Sequence, residues 1–205
     1  LLLAGMLDRA RLLDIVENFM LFDAGEETTQ KIVARNHQYL GVNRVIERLT
    51  STDPKVKAEV VSGQLGVFWH TQGSGKSYSM LFLTEKVRRR LSGSYTFVVV
   101  TDRSELDDQI AGTYTSAGRA NSKTDQAKNG DALRRMLRDQ SRHYVFGLIQ
   151  KYRERVTEPY SMRDDIIVIS DEAHRTQYGR LALNMRKGLP RAKFLGFTGT
   201  PLIDD

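Results

Sequence analysis

One stretch limits what this chain can fold into more than any other: residues 65–77, LGVFWHTQGSGKS, where an apolar run stops at a glycine-broken turn ending in Lys76-Ser77. Leu65, Val67, Phe68 and Trp69 read as a short buried strand, and Met80, Leu81, Leu83 and Val87 behind the lysine recur at helical spacing. Strand, glycine turn, helix is the order of a phosphate-binding loop. Gly73, Ser74 and Gly75 leave room for backbone N–H groups to wrap a phosphate chain, with the positive end of the following helix dipole aimed at it. Lys76 then reaches the β and γ phosphates and the Ser77 hydroxyl serves Mg²⁺. His70 stands where the full pattern G-x-x-x-x-G-K-[ST] has its first glycine. Gly-Ser-Gly-Lys-Ser also occurs in flexible linkers, so the reading needs a partner carboxylate.

That carboxylate follows the apolar run Ile166–Ile169, which delivers Ser170-Asp171-Glu172-Ala173-His174. An acidic residue at the end of a buried strand, downstream of a phosphate loop, is where a Mg²⁺ ligand is needed, and Asp171 occupies that place. Glu172 is positioned to orient, or take a proton from, the water that attacks the γ phosphate. His174 is a candidate relay from the γ phosphate to the turn Thr198-Gly199-Thr200; a lone histidine is more often structural.

Elsewhere, Phe97–Val100 and Tyr144–Ile149 read as buried parallel strands, ending in Thr101-Asp102-Arg103 and Gln150-Lys151. A helix around Leu181 to Met185 leads to the strand Phe194–Phe197. Strand and helix alternate from residue 65 onward, which predicts an α/β doubly wound parallel sheet. Residues 1–22 read as one or two amphipathic helices, and Thr28 or Thr29 as the cap of another that runs to Leu49. Within it Gln38 has an amide able to donate and accept at once, as adenine recognition requires, or it is an exposed helix residue. Residues 51–64 read as a polar connector. The expected division is a helical segment over 1–50 and an ATPase domain over 51–205.

The 205 residues, 40% hydrophobic and 27% charged, suit a globular domain. No cysteine is present, which excludes disulfides and Cys-ligated zinc. No run approaches the roughly 18 apolar residues of a membrane span. The net charge of +6 suits a polyanion partner, although Arg88-Arg89-Arg90 and Arg134, Arg135 and Arg138 read equally well as solvated helix faces.

Taken together, Gly73-x-Gly75-Lys76-Ser77, Asp171-Glu172-Ala173-His174 and Thr198-Gly199-Thr200 resemble motifs I, II and III of superfamily 2 helicases and translocases. FWHTQGSGKS, VVVTDRSELDDQ, LIQKY, SDEAHRTQYG and KFLGFTGTPL look more narrowly like the motor subunit of type I restriction endonucleases, and RNHQYLGVNR is similar to the segment that precedes that motor. The resemblance implies a first RecA-like domain that hydrolyses ATP with Mg²⁺ to pull double-stranded DNA, with a separate nuclease domain cutting remotely. It implies modification (methyltransferase) and specificity subunits as partners, no membrane, and a prokaryotic cytoplasmic setting. Carried over by residue, Lys76 and Ser77 bind phosphates and Mg²⁺, Asp171 and Glu172 are the metal and hydrolysis carboxylates, and Gln38 recognises adenine. Thr198 and Thr200 couple nucleotide state to motion, and Asp102, Arg103, Gln150 and Lys151 approach the DNA backbone, a kind of contact that suits a translocase. No nuclease carboxylate-lysine cluster is recognisable in residues 1–64, and the second motor domain with its arginine finger is expected beyond Asp205. Competing readings are a repair or remodelling translocase without a nuclease, a phosphate-loop kinase or GTP switch, and an interaction module with a vestigial loop.

Overall fold

The computed structural model describes residues 8–24, 28–71, 73–171 and 179–199. Glu172, Ala173, His174, Thr200 and the first seven residues lie outside them.

Five strands form one parallel sheet: β3 (Gln64–Trp69), β4 (Thr96–Thr101), β5 (Tyr144–Leu148), β6 (Ile166–Asp171) and β7 (Lys193–Thr198). Their order across the sheet is β3-β7-β6-β4-β5. Side chains alternate across it, so Phe97, Val99, Tyr144, Phe146, Ile167 and Ile169 enter one core and Val98, Val100, Val145, Ile166 and Val168 another. Helices α4 (Lys76–Arg90) and α5 (Ser104–Ser116) contribute to the first core; α7 (Gly130–Arg138) and α8 (Gly179–Gly188) contribute to the second. The doubly wound sheet expected from the alternation is present. β3 is less buried than its composition suggests: Val67 and Trp69 are exposed, because among the described residues the strand pairs only with β7. A register shift between Gln64 and Gly66 puts Leu65 and Phe68, three residues apart, into the same core.

The first fifty residues depart from a purely helical reading. Helix α1 (Arg9–Asn18), capped by the Asp8 carboxylate accepting from the Arg11 N–H, stops at Phe19. Strands β1 (Met20–Ala24) and β2 (Thr29–Val33) then pair antiparallel, so Thr29 opens a strand rather than capping a helix. Local helical spacing loses here to cross-strand pairing, extended by the Ala34 N–H donating to the Phe19 carbonyl. Helix α2 (Asn36–Leu49) begins only afterwards. The connector expected over 51–64 contains helix α3 (Pro54–Val61), with Asp53 as its cap and Pro54 in its first turn. The polar stretch 116–130 contains a single turn, α6 (Ser122–Asp125).

Helix α4 is enclosed from Ser79 to Val87, which obliges its charged residues to find partners. The Lys86 ammonium donates to both oxygens of Asp14 (2.5 and 2.7 Å) and to Asn43 Oδ1 (2.6 Å), above the Phe19 ring. Burial works to raise the Asp14 pKa, but the hydrogen bonds from Lys86 and Asn18 bring it below the usual value. Glu85 accepts from the Tyr144 hydroxyl at 2.7 Å and pairs with Arg88, Arg89 and Arg119. Arg134 pairs with Asp131 and Glu154. Arg88, Arg89 and Arg134, three of the six arginines singled out in the sequence, are thus paired within the fold.

Candidate nucleotide site

The C-terminal ends of the parallel strands face one side, and Lys76, Ser77, Asp171 and Thr198 gather there. β3 leads into the turn at His70 to Gly75, β7 ends at Thr198, and β6 ends at Asp171, with Trp69 opposite Thr198 and Asp171 opposite Phe197. Gly73 (φ 75°) and Gly75 (φ 90°) adopt left-handed backbone, which glycine reaches without a Cβ penalty. Gly75 is the N-terminal cap of α4, so the first N–H groups of a fifteen-residue helix open onto the turn.

Lys76 Nζ lies 3.0 Å from Asp171 Oδ1, and the aspartate side chain is 5% exposed. Two positions 95 residues apart are thereby joined at the mouth of a cleft of about 650 Å³ lined by Gly73, Gly75, Lys76, Ser77, Arg103 and Asp171. That volume lies within the roughly 300–1,000 Å³ of ligand-binding clefts. A glycine cradle, a lysine, a hydroxyl and a buried carboxylate are the donor set for a polyphosphate with a hard cation. Among the described residues no three His, Cys, Asp or Glu side chains converge to hold a metal alone. Mg²⁺ shares substrate phosphates and water with one or two protein oxygens, and the Ser77 hydroxyl and the Asp171 carboxylate are such oxygens at the cleft.

Gln38 is buried, not exposed. Its Oε1 accepts from the Arg35 N–H (2.8 Å), and its Nε2 donates to the Gly75 carbonyl and to Ser79 Oγ, each at 3.0 Å. Both amide protons are thus engaged, one with the phosphate loop and one with α4 behind it, and an adenine that took one would compete with these bonds. The sequence singled out neither Ser79 nor a role for His70. His70, 2% exposed, places Nε2 2.7 Å from Ser79 Oγ and Nδ1 against Ser74 Oγ. Burial lowers its pKa to about 4, opposed by a backbone hydrogen bond at Thr71 and aided by the charges of Lys76 and Arg35, so the ring is neutral at pH 7.

Thr198 is buried and its carbonyl accepts from the His70 N–H at 2.8 Å; the Gly199 carbonyl accepts from the Trp69 indole. The turn after β7 therefore touches the strand that feeds the phosphate loop. The four residues expected to approach DNA divide. Arg103 is exposed, lies 3.7 Å from Asp102 and lines the phosphate-loop cleft together with Glu105, which the sequence analysis passed over. Gln150 donates to the Asp102 carbonyl at 2.8 Å, tying the ends of β4 and β5 together. Lys151 is half-buried; burial lowers its pKa, opposed by the charges of Asp107 and Asp108.

The SWI2/SNF2 ATPase family description matches residues 37–205. The type I restriction enzyme HindI endonuclease subunit of Haemophilus influenzae is 39% identical over 98% of this chain and 21% of its own length. Among solved structures, UvsW of phage T4 superposes with a TM-score of 0.59 at 13% identity, over 95% of this chain and 35% of that one. A nuclease-deletion mutant of the Type ISP restriction-modification enzyme LlaGI, in complex with a DNA substrate mimic, gives 0.52 at 16% identity, over 83% of this chain and 18% of that one. The chain spans about a fifth of the length of the curated relatives it matches. The structural neighbours share the RecA-like sheet, and the family match covers every strand of it. The chain belongs to the SWI2/SNF2 ATPase family.

Proposed function

We propose that this chain is the first RecA-like lobe of an ATP-driven motor that moves double-stranded DNA within the endonuclease subunit of a type I restriction-modification complex. The observation that carries the reading is the Lys76–Asp171 pair at 3.0 Å across the glycine cradle. In this reading the polyphosphate of ATP enters the cleft and takes Lys76 away from Asp171, so the ammonium neutralises the β and γ oxygens. The backbone N–H groups at the start of α4 orient the phosphate chain. Ser77 and Asp171 hold Mg²⁺, which supplies further charge neutralisation on the phosphate oxygens when bound. Glu172, outside the described residues, orients the attacking water and accepts its proton. Thr198 and Gly199, against the strand that feeds the loop, pass the change in phosphate state towards a second lobe, which supplies the arginine finger.

Duplex DNA, the modification and specificity subunits, and remote cleavage enter through the relatives, which are named endonuclease subunits of type I restriction enzymes. Among the described residues lining the cleft, Arg103 is exposed for a phosphate contact beside it. The test is displacement of a third strand from a DNA triplex by the intact protein assembled with its modification and specificity subunits. Displacement that requires ATP and a recognition site in cis is expected. ATP hydrolysis without any displacement would overturn the translocase reading while leaving the ATPase reading in place.

A further inference from the structure

Position 70 lies where the common loop pattern has a glycine, yet here a histidine side chain is packed beneath the loop with 2% of its surface exposed. A buried imidazole must account for both ring nitrogens, and the shorter of its neighbours' contacts favour one assignment. The two Gln38 Nε2 protons go to the Gly75 carbonyl and to Ser79 Oγ. Ser79 therefore accepts from Gln38, and its own proton has two acceptors in reach: His70 Nε2 at 2.7 Å or the Gly75 carbonyl at 3.3 Å. The shorter bond makes Nε2 an acceptor, so Nδ1 carries the proton and donates to Ser74 Oγ. Ser74 in turn donates to the Thr71 carbonyl. The bonds run in one direction along a line from the Arg35 N–H, at the start of α2, through Gln38, which also donates to the Gly75 carbonyl, then Ser79 and His70 to the turn itself.

We propose that His70 is a positioning residue of the nucleotide site: its neutral ring, fixed with the proton on Nδ1, fastens Ser74 of the phosphate loop to Ser79 on α4. A glycine at position 70 leaves both hydroxyls without this link, and the turn at Gly73 to Gly75 has then to be ordered by the incoming phosphates. With His70 the loop is formed beforehand, and a loop formed beforehand binds more tightly because less conformational freedom is lost on binding. The inference rests on the reading of this loop as the ATP site, and its test separates the two.

The experiment measures ATP binding and steady-state hydrolysis by the intact protein with Mg²⁺ for His70→Gly, His70→Asn, Ser79→Ala, the double variant His70→Gly/Ser79→Ala, and Lys76→Ala. His70→Gly should weaken ATP and ADP binding and raise KM by about tenfold, the worth of a net hydrogen bond or so, with a smaller change in kcat. A purely structural role would lower the folded fraction and hence kcat, leaving KM in place. His70→Asn, whose amide can stand where Nδ1 stands, should recover most of the affinity. Ser79→Ala should lose at least as much as His70→Gly, because it also removes the acceptor of Gln38, and the double variant should lose no more than Ser79→Ala alone, since the link through His70 is already broken there. Wild-type affinity in His70→Gly, or additive losses in the double variant, would overturn the proposal. If Lys76→Ala also bound nucleotide normally, the phosphate-loop reading itself would fall; if Lys76→Ala lost binding while His70→Gly kept it, only the role of His70 would.

Discussion

Replacing Lys86 with methionine tests how the N-terminal helix is held to the phosphate-loop helix. The ammonium makes contacts of 2.5 and 2.7 Å with the two oxygens of Asp14 and 2.6 Å with Asn43, and only 5% of the lysine side chain is exposed. Methionine keeps most of the volume and removes the charge, leaving the Asp14 carboxylate with neutral donors and Asn43 Oδ1 without the ammonium. Breaking a buried pair by removing one partner costs about 3–5 kcal/mol. The Asp14 side chain is 18% exposed and water recovers part of that, so about 2–4 kcal/mol is expected. For a chain of this length each kcal/mol moves the melting temperature by roughly 2–4 °C, giving a drop of about 4–16 °C. The assay is thermal and urea unfolding followed by far-ultraviolet circular dichroism at neutral pH. Asp14→Leu combined with Lys86→Met should recover more than half of the loss, because no buried charge then remains unpaired. A single-variant loss below about 1 kcal/mol, the worth of an exposed pair, would refute the reasoning.

Gly41→Ala should destabilise the fold by about 1–3 kcal/mol, since a Cβ there overlaps the Phe68 ring, itself stacked on Phe197 at 4.8 Å; a melting temperature equal to or above wild type would contradict it. The His70 pKa falls from 6.5 unfolded to about 4 folded, so the unfolded chain binds the extra proton first, and stability present above pH 6.5 is lost as pH falls towards 4. The loss attributable to this group is at most about 3 kcal/mol, read as the difference in pH dependence between wild type and His70→Asn; parallel curves would show that the ring titrates normally. Glu172→Gln should bind ATP with Mg²⁺ and hydrolyse it slowly, whereas Asp171→Asn should weaken Mg²⁺-dependent binding. Indistinguishable variants would remove that division of roles.

The sheet was legible because strands buried on both faces are written as continuous apolar runs, as in Ile166–Ile169 and Phe97–Val100. Asp171 was legible for a related reason, since it follows such a run directly; Lys76 was legible from the glycine turn between the β3 run and its helix. The hairpin of β1 and β2 was not, because five residues such as Met20–Ala24 fit either period until their partner strand is known. Helix α3 had a local signal that went unused, Asp53 before Pro54 at a first-turn position. The burial of Gln38 and the pairing of Lys86 with Asp14 rest on contacts 37 to 72 residues apart, which no local pattern encodes. Likewise, the resemblance placed Gln150 and Lys151 near DNA, while the bond from Gln150 to Asp102 and the partial burial of Lys151 beside Asp107 depend on how β4 and β5 end.

The central claim is that Lys76 and the carboxylate it meets form an ATP-hydrolysing site. Its most direct test is steady-state ATP hydrolysis by the intact protein, wild type against Lys76→Ala, with duplex DNA and Mg²⁺ present and folding checked by circular dichroism. Removing the ammonium takes away a charged phosphate contact of roughly 1.5–3 kcal/mol and the charge neutralisation of the transition state, so hydrolysis should fall to background in a folded protein. A folded Lys76→Ala protein that turned over ATP at the wild-type rate would contradict the account.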